Sequence, residues 1–422
     1  MKKLVLAILM IAVAMPAFAS ETRVRALGPM TAPYIEDDSN VFMWPATLAG
    51  YANLVTITAG YYDVVKWGDD RGYYDDSMTA KFGMTYGLGE DNKYGVLGMW
   101  WQEHTWGPNY MGSWYGPWDG WQSTDFGENV YNKWNIMWAT AFETIDIGIR
   151  FERADEGDYE ETDGESGERS INYTTLGLGL RWDLNDEAMM DLAFDYTTVG
   201  FTYQDLGSTD KVEADAKSIM ALRARMFYEW TDVITWVPYF NYKWGNLSLK
   251  SSETGYYDDD ECWGMKGFQF DIGLAANIDV NDDNLLIVGI EPYGMYKGEP
   301  SECGGDAGSE EMKLTIFPAF VFGLESDVKD WLTFRAGCSK ALLKTTYKGD
   351  YEGSSYEDYY TWAPFEWQLG LGFHVGDFDI DMLINKEAPF SMGYWLTGIQ
   401  PGQYETDDIG APIGMISATY SF

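Results

Sequence analysis

Beyond residue 19 the chain has no apolar run of the roughly 20 residues that a membrane-crossing helix requires, which excludes a helical membrane protein. Histidine occurs only as His104 and His374. Nucleophilic catalysis needs a base within reach of its nucleophile, and the strand layout puts these two at opposite ends. No G-x-S-x-G motif is present either, so the sequence does not read as an enzyme. Three cysteines, Cys262, Cys303 and Cys338, are too few for a disulfide-stapled scaffold or a thiolate metal cluster. No metal or cofactor motif is written in the chain. Lys and Arg number 28 against 67 Asp and Glu, a net charge of −39 that argues against nucleic acid as a partner.

Aromatic residues, by contrast, reach 17%, with 19 Trp and 30 Tyr. The chain opens with Lys2 and Lys3, an apolar run from Leu4 to Met15, and Pro16-Ala17-Phe18-Ala19. That is the pattern of a secretory signal peptide, residues 1–19, which takes the protein out of the cytoplasm. Residues 20–50 are irregular and rich in proline. They form an N-terminal segment that either leads in from the periplasm or plugs the strands after it.

From residue 51 to 422 the chain alternates. Ile145, Ile147, Ile149 and Phe151 oppose Asp146, Gly148, Arg150 and Glu152; Leu176, Leu178, Leu180 and Trp182 oppose Gly177, Gly179, Arg181 and Asp183. This period of two, in segments of about ten residues, marks strands with one apolar face. By the same phase Leu314, Ile316, Phe320 and Phe322 share one face, and Cys338 lies on the apolar face of its strand. Short connections such as Glu143-Thr144, Asn185-Asp186-Glu187 and Asn281-Asp282-Asp283 alternate with long ones near 66–77, 107–130, 155–168, 205–216, 251–263, 298–310, 348–360 and 388–408. Seven short turns and eight long loops give sixteen antiparallel strands, or fourteen if one hairpin is misread. The acidic runs Glu156–Glu165 and Asp258–Glu261 read as solvated loops.

The last strand, Ile416-Ser417-Ala418-Thr419-Tyr420-Ser421-Phe422, ends on a terminal aromatic with another two positions earlier. It resembles the closing strand of Gram-negative outer-membrane β-barrels. The resemblance implies a porin-like transmembrane barrel in the outer membrane, with short periplasmic turns and long extracellular loops. It also implies contact with outer-membrane lipid and lipopolysaccharide, and recognition of Phe422 by the barrel-assembly machinery. Asp37-Asp38-Ser39-Asn40-Val41-Phe42-Met43-Trp44-Pro45-Ala46 resembles the N-terminal segment of the FadL family of hydrophobic-compound transporters, with Trp44 where that family has Asn. In that family the segment plugs the barrel, which marks Asp38, Ser39, Phe42, Trp44 and Pro45 as plug residues.

If the apolar faces meet lipid, the opposite faces line the lumen. Its cations are then Arg150, Arg181, Arg223, Arg225, Lys243 and Arg335. Its acids include Asp191, Asp195, Asp271 and Glu291, with Glu366, Asp379 and Asp381 toward the chain's end. Buried charges without partners are costly, so these residues face water or pair across strands. A charged, water-filled wall would make a passive channel for small solutes with a preference for cations or neutral molecules. The sequence therefore reads first as that porin-like channel, with a FadL-like transporter of hydrophobic compounds as the alternative and a structural or adhesive barrel as the second. Trp106, Trp114, Trp118 and Trp121, interleaved with glycines in the loop after the third strand, are candidates for stacking a ligand. Cys262 and Cys303 fall in consecutive long loops, compatible with a disulfide between them. A homotrimer is compatible with sixteen strands but is not fixed by the sequence.

Overall fold

The computed structural model describes residues 21–28, 30–61, 78–103, 132–162, 165–204, 212–214, 217–251, 262–300, 311–351, 354–384 and 413–422. The signal peptide, His104, Cys303 and the four loop tryptophans lie outside them, as does the side chain of Cys262.

The strands run β1 (Leu54–Tyr61), β2 (Met78–Gly87), β3 (Val96–Glu103), β4 (Asn132–Phe142), β5 (Ile145–Thr162) and β6 (Glu165–Asn185). They continue as β7 (Ala188–Gln204), β8 (Val212–Ala214), β9 (Lys217–Thr231), β10 (Ile234–Ser251), β11 (Cys262–Asn281) and β12 (Asn284–Pro300). The last six are β13 (Glu311–Lys329), β14 (Leu332–Tyr351), β15 (Ser354–Trp362), β16 (Phe365–Val375), β17 (Phe378–Ile384) and β18 (Ile413–Ser421). All belong to one antiparallel sheet that closes on itself, because β1 pairs with β2 on one side and β18 on the other. Three-residue β8 pairs only with the outer ends of β7 and β10, and β15 and β16 follow one another along β14. The described wall is thus a closed sixteen-stranded barrel.

Alternation decides which face is wet. Ile149, Leu178 and Phe322 are 47%, 57% and 41% exposed on the outside, while Arg150, Glu152, Asp191 and Arg335 are buried on the inside. Apolar side chains open to the exterior around a polar interior are what lipid on one side and a lumen on the other demand. With closure removing every sheet edge, the chain is an outer-membrane β-barrel.

Three expectations are corrected. Leu314 and Ile316 do not share a face with Phe320 and Phe322: the first two are 6% exposed inside, the latter 50% and 41% exposed outside. A bulge between Ile316 and Ala319 absorbs Phe317 and Pro318 and flips the phase. Proline has no N–H to give the ladder, so strands tolerate it at such bulges. The region 155–168, with the acidic run from Glu156, is not a loop along most of its length, because β5 and β6 stay paired out to Thr162↔Glu165. The same holds for 348–360, where β14 and β15 pair out to Tyr351↔Ser354.

Residues 21–53 lie inside the ring. A helix spans Glu21–Ala26, followed by 3-10 turns at Ala32–Tyr34, Asp38–Phe42 and Pro45–Gly50. Pro33 is the second residue of the first turn and Pro45 opens the third, each with its fixed φ, and Asp37 caps the second by accepting the Ser39 N–H at 2.9 Å. Val24, Leu27, Tyr34, Val41, Trp44 and Leu48 are each at most 2% exposed, seated against inward residues of the wall.

Candidate functional site

The site is the cross-section where this segment meets the wall. It lies in the short-turn half of the barrel: Arg181 is on β6 just before the Asn185 turn, and Glu325 on β13 precedes the turn after Lys329.

On the β5–β9 side the wall supplies the cations. Arg181 grips Asp191 with two bonds of 2.7 and 2.9 Å, and Arg225 adds a third at 2.8 Å. Arg225 then turns its other arm to the segment and donates to the carbonyls of Pro33 at 3.2 Å and Ile35 at 2.8 Å. Its guanidinium also lies 4.8 Å from the Trp44 ring centre, a cation–π arrangement. Arg181 reaches Glu36 at 2.7 Å. Asp195 bridges Arg150 at 2.9 Å and Arg223 at 2.6 Å, and Arg150 donates to the Phe42 carbonyl. Each buried carboxylate meets two guanidinium groups, the charge-assisted contacts that make such pairs strong. Beside them Gly148 and Gly179 leave the wall bare for Pro45 and Ala46: a Cβ would come within 2.2 Å and 2.6 Å of that backbone.

On the β13–β17 side the cation that crosses between segment and wall comes from the segment. Arg23 makes two bonds to Glu325, at 2.7 and 2.8 Å, and a third to Asp37 at 3.3 Å. Arg335 links Glu325 to Asp381, each at 2.5 Å. Here glycine shapes the seat. A Cβ on Gly337 would lie 2.1 Å from the Leu27 carbonyl, and one on Gly370 would lie 2.4 Å from the Ala26 side chain.

A third side, β1–β3, holds the segment more loosely. Lys81 lies 3.4 Å from Glu21 and 3.8 Å from the Phe42 ring centre, and Phe42 packs edge-on against Trp100. Between segment and wall runs a narrow, partly open cleft, with Val41, Phe42, Leu54 and Trp100 among its apolar lining. Glu21, Asp38, Lys81 and Thr58 supply polar lining. Burial alone would raise the Glu21 carboxyl, but Lys81 and Arg25 outweigh it and hold it down at about 2. Burial and the neighbouring Asp37 push Asp38 the other way, well above the usual carboxylate range.

The fourth side, β10–β12, is a buried acid pair. Glu291 accepts from the Tyr34 hydroxyl at 3.2 Å, while Asp271 accepts from Asn241 at 2.9 Å and Gln269 at 3.0 Å. Asn277 donates to the Tyr34 carbonyl at 2.8 Å.

Of the residues singled out from sequence, Arg150, Arg181, Asp191, Asp195, Arg223, Arg225, Arg335 and Asp381 converge on this cross-section. Glu291 reaches it through Tyr34, with Asp271 behind it. Lys243 is buried on β10, opposite Gln269. Glu366 is half-buried on β16, opposite Ser339. Asp379 lies in a chain at the barrel's short-turn rim: Asp379 to His374 Nδ1 is 2.5 Å, His374 Nε2 to Thr333 is 2.8 Å, and Thr333 to Asp327 is 2.5 Å. Thr–His–Asp connectivity is that of a nucleophile relay. Thr333 is fully buried, however, and bonds to a second carboxylate, so this chain clamps the rim. Asp38, Phe42, Trp44 and Pro45 all sit in the segment's seat. Ser39 bonds to Asp37 at 2.5 Å and lines the cleft. Sequence reasoning missed Glu21, Arg23, Tyr34, Lys81 and Glu325. Strand phase could have marked the last two as inward; nothing marks the segment residues. Among the described residues no group of His, Cys, Asp and Glu is arranged to hold a metal ion.

No family model matches the chain, and no curated protein sequence does. Solved structures similar to it include a Pseudomonas aeruginosa FadL homologue, at 10% identity and a TM-score of 0.43 over 97% of this chain and 100% of that one. The alcaligin outer-membrane receptor FauA from Bordetella pertussis is 7% identical with a TM-score of 0.43, over 88% of this chain and 76% of that one. The copper transporter OprC is 11% identical with a TM-score of 0.40, over 79% of this chain, which spans 66% of that protein's length. All are barrels of the outer membrane, and likenesses this distant carry no functional argument.

Proposed function

We propose that the chain is a plugged outer-membrane transporter for small apolar or amphipathic solutes. The observation that supports this reading is the occupied lumen. Residues 21–53 fill the short-turn half of the barrel and are bonded to strands on several sides, from β5 to β13 and at β18. Beside it lies a narrow cleft lined by both apolar and polar side chains, a lining that suits an amphipathic molecule better than a hydrated ion. The wall charges that would give an open channel its field are largely spent on each other and on the segment. The chain acts without catalysing a reaction.

Planar-bilayer recording tests this reading. The intact protein should be near-silent, and removal of residues 21–50 should produce stable openings. Proteoliposomes should take up a small aromatic solute faster than a sugar of equal size. Stable ohmic steps with cation preference in the intact protein would overturn the proposal in favour of an open porin. Silence in both forms, with no uptake, would leave a structural barrel.

A further inference from the structure

The outside of the barrel carries a second feature. Lysine is scarce in this chain, yet Lys297, Lys313, Lys340, Lys344 and Lys348 gather on the outward face of three neighbouring strands, β12, β13 and β14. Lys297, Lys313, Lys344 and Lys348 lie toward the long-loop end, at and beyond the upper edge of the apolar belt, and Lys340 lies lower on the same face, below Leu342. The ladder places them against one another: Lys297 and Lys313 are directly opposite. Lys313 also faces Thr346, which puts Lys344 and Lys348 at its two diagonals.

Like charges directly opposite on a sheet repel and cost stability. Two acids offset part of this, Glu311 at 3.3 Å from Lys297 and Glu357 at 3.2 Å from Lys348. Lys340 donates to the Ala363 carbonyl at 2.7 Å, and Lys344 lies 4.7 Å from the Tyr359 ring centre. Among the described residues these ion pairs reach two of the five lysines. Among the described residues Lys313, Lys340 and Lys344 are thus left outside these ion pairs, on a chain of net charge −39.

Directly below it the surface changes character. Phe317, Leu342, Phe320 and Phe365 are 65%, 45%, 50% and 58% exposed on the same outward face. Lys340 stands between Phe320 and Phe365 in register. An anion-binding row above an acyl-binding row fits one kind of molecule, with phosphates on a head group and several chains beneath it.

We infer that the outward face of β12–β14 binds a phosphorylated glycolipid of the outer leaflet. Its phosphates sit among Lys313, Lys344 and their neighbours, and its acyl chains lie on Phe317, Leu342, Phe320 and Phe365. The source is membrane lipid, since a free anion gains nothing from the apolar row. The assignment rests on the barrel's place in the outer membrane and not on what the lumen transports.

Native mass spectrometry of the purified full chain tests it, with bis-phosphorylated lipid A as the probe. Lys313→Gln with Lys344→Gln should weaken retention on the order of thirtyfold, at about one surface charge's worth of attraction per lysine. Lys329→Gln, at the opposite end, should leave retention unchanged. Dephosphorylated lipid A should bind the native chain as weakly as the native lipid binds the double variant. Heat-modifiable migration on gels verifies that the variants are folded barrels. Equal retention by the double variant, equal binding of dephosphorylated lipid, or displacement by phosphatidylglycerol or inorganic phosphate at matched concentration would each overturn the inference.

Discussion

The two walls that flank the segment hold it by opposite means. On the β5–β9 side the arginines belong to the barrel and reach for backbone carbonyls of Pro33, Ile35 and Phe42. Every residue has a carbonyl, so these bonds are indifferent to the segment's side chains, while Glu36, Trp44 and the glycine seat for Pro45 and Ala46 add side-chain-specific contacts on the same side. On the β13–β17 side the arginine that crosses between segment and wall belongs to the segment, and glycines let Ala26 and Leu27 lie against the strands. That fit depends throughout on what the segment is made of. The first wall adds a backbone grip to its fit, and the second relies on the segment's own side chains.

The most severe break in this comparison is Gly337→Leu. The collision is with backbone at 2.1 Å, which cannot swing aside, so the seat should lose about 3 kcal/mol or more. The displaced population should rise on the order of a hundredfold, read as channel openings in a barrel whose heat-modifiable migration is unchanged. Arg225→Met tests the other wall. It strips the donor from two carbonyls but leaves Asp191 its Arg181 partner, for a loss of about 2 kcal/mol. Protease sensitivity of the segment should rise less than in Gly337→Leu. If Arg225→Met releases the segment more readily than Gly337→Leu, the assignment of roles is inverted.

The smallest effect is expected from acid. Glu21, held at about 2 by Lys81 and Arg25 against the pull of burial, has a depressed folded-state value. Its stabilisation is complete above the ordinary carboxylate range near 4.3 and disappears as pH falls toward about 2. Asp38, whose value is raised by burial and Asp37, works with the opposite sign and becomes easier to bury as it protonates. Openings should therefore increase only severalfold from pH 5 to pH 3, and Glu21→Gln should flatten that rise. An unchanged pH response in Glu21→Gln would remove the β1–β3 side from the account.

Much of the barrel was legible because lipid on one face and a polar lumen on the other write a period of two into each strand. Short turns and inward arginines followed from that phase. Where proline breaks the ladder, as at Phe317-Pro318, the phase slips, and Leu314 and Ile316 were read onto the wrong side. Strand length was under-read in Glu156–Glu165 because an acidic hairpin standing clear of lipid needs no apolar face. The seat was far less legible. Arg150 and Asp195 were recognisable as inward charges, but that Arg150 holds the Phe42 carbonyl depends on three-dimensional proximity between residues more than a hundred positions apart. Trp100 carries no such mark in the sequence, yet it lies on β3 with its ring over Gly83 and Gly98 in the lumen.

The closure between β1 and β18 bears on how the molecule is put together. Leu54 pairs with Ser421, and the Phe422 N–H bonds to the Asn53 carbonyl at 3.0 Å, so the ring is sealed at the point where the segment joins the wall. Contacts so far apart in sequence form late, because the chain between them must be ordered first. The segment enters the lumen from that same end, so the last contact of the ring borders the segment's own junction, and completion of the seam fixes where the segment begins.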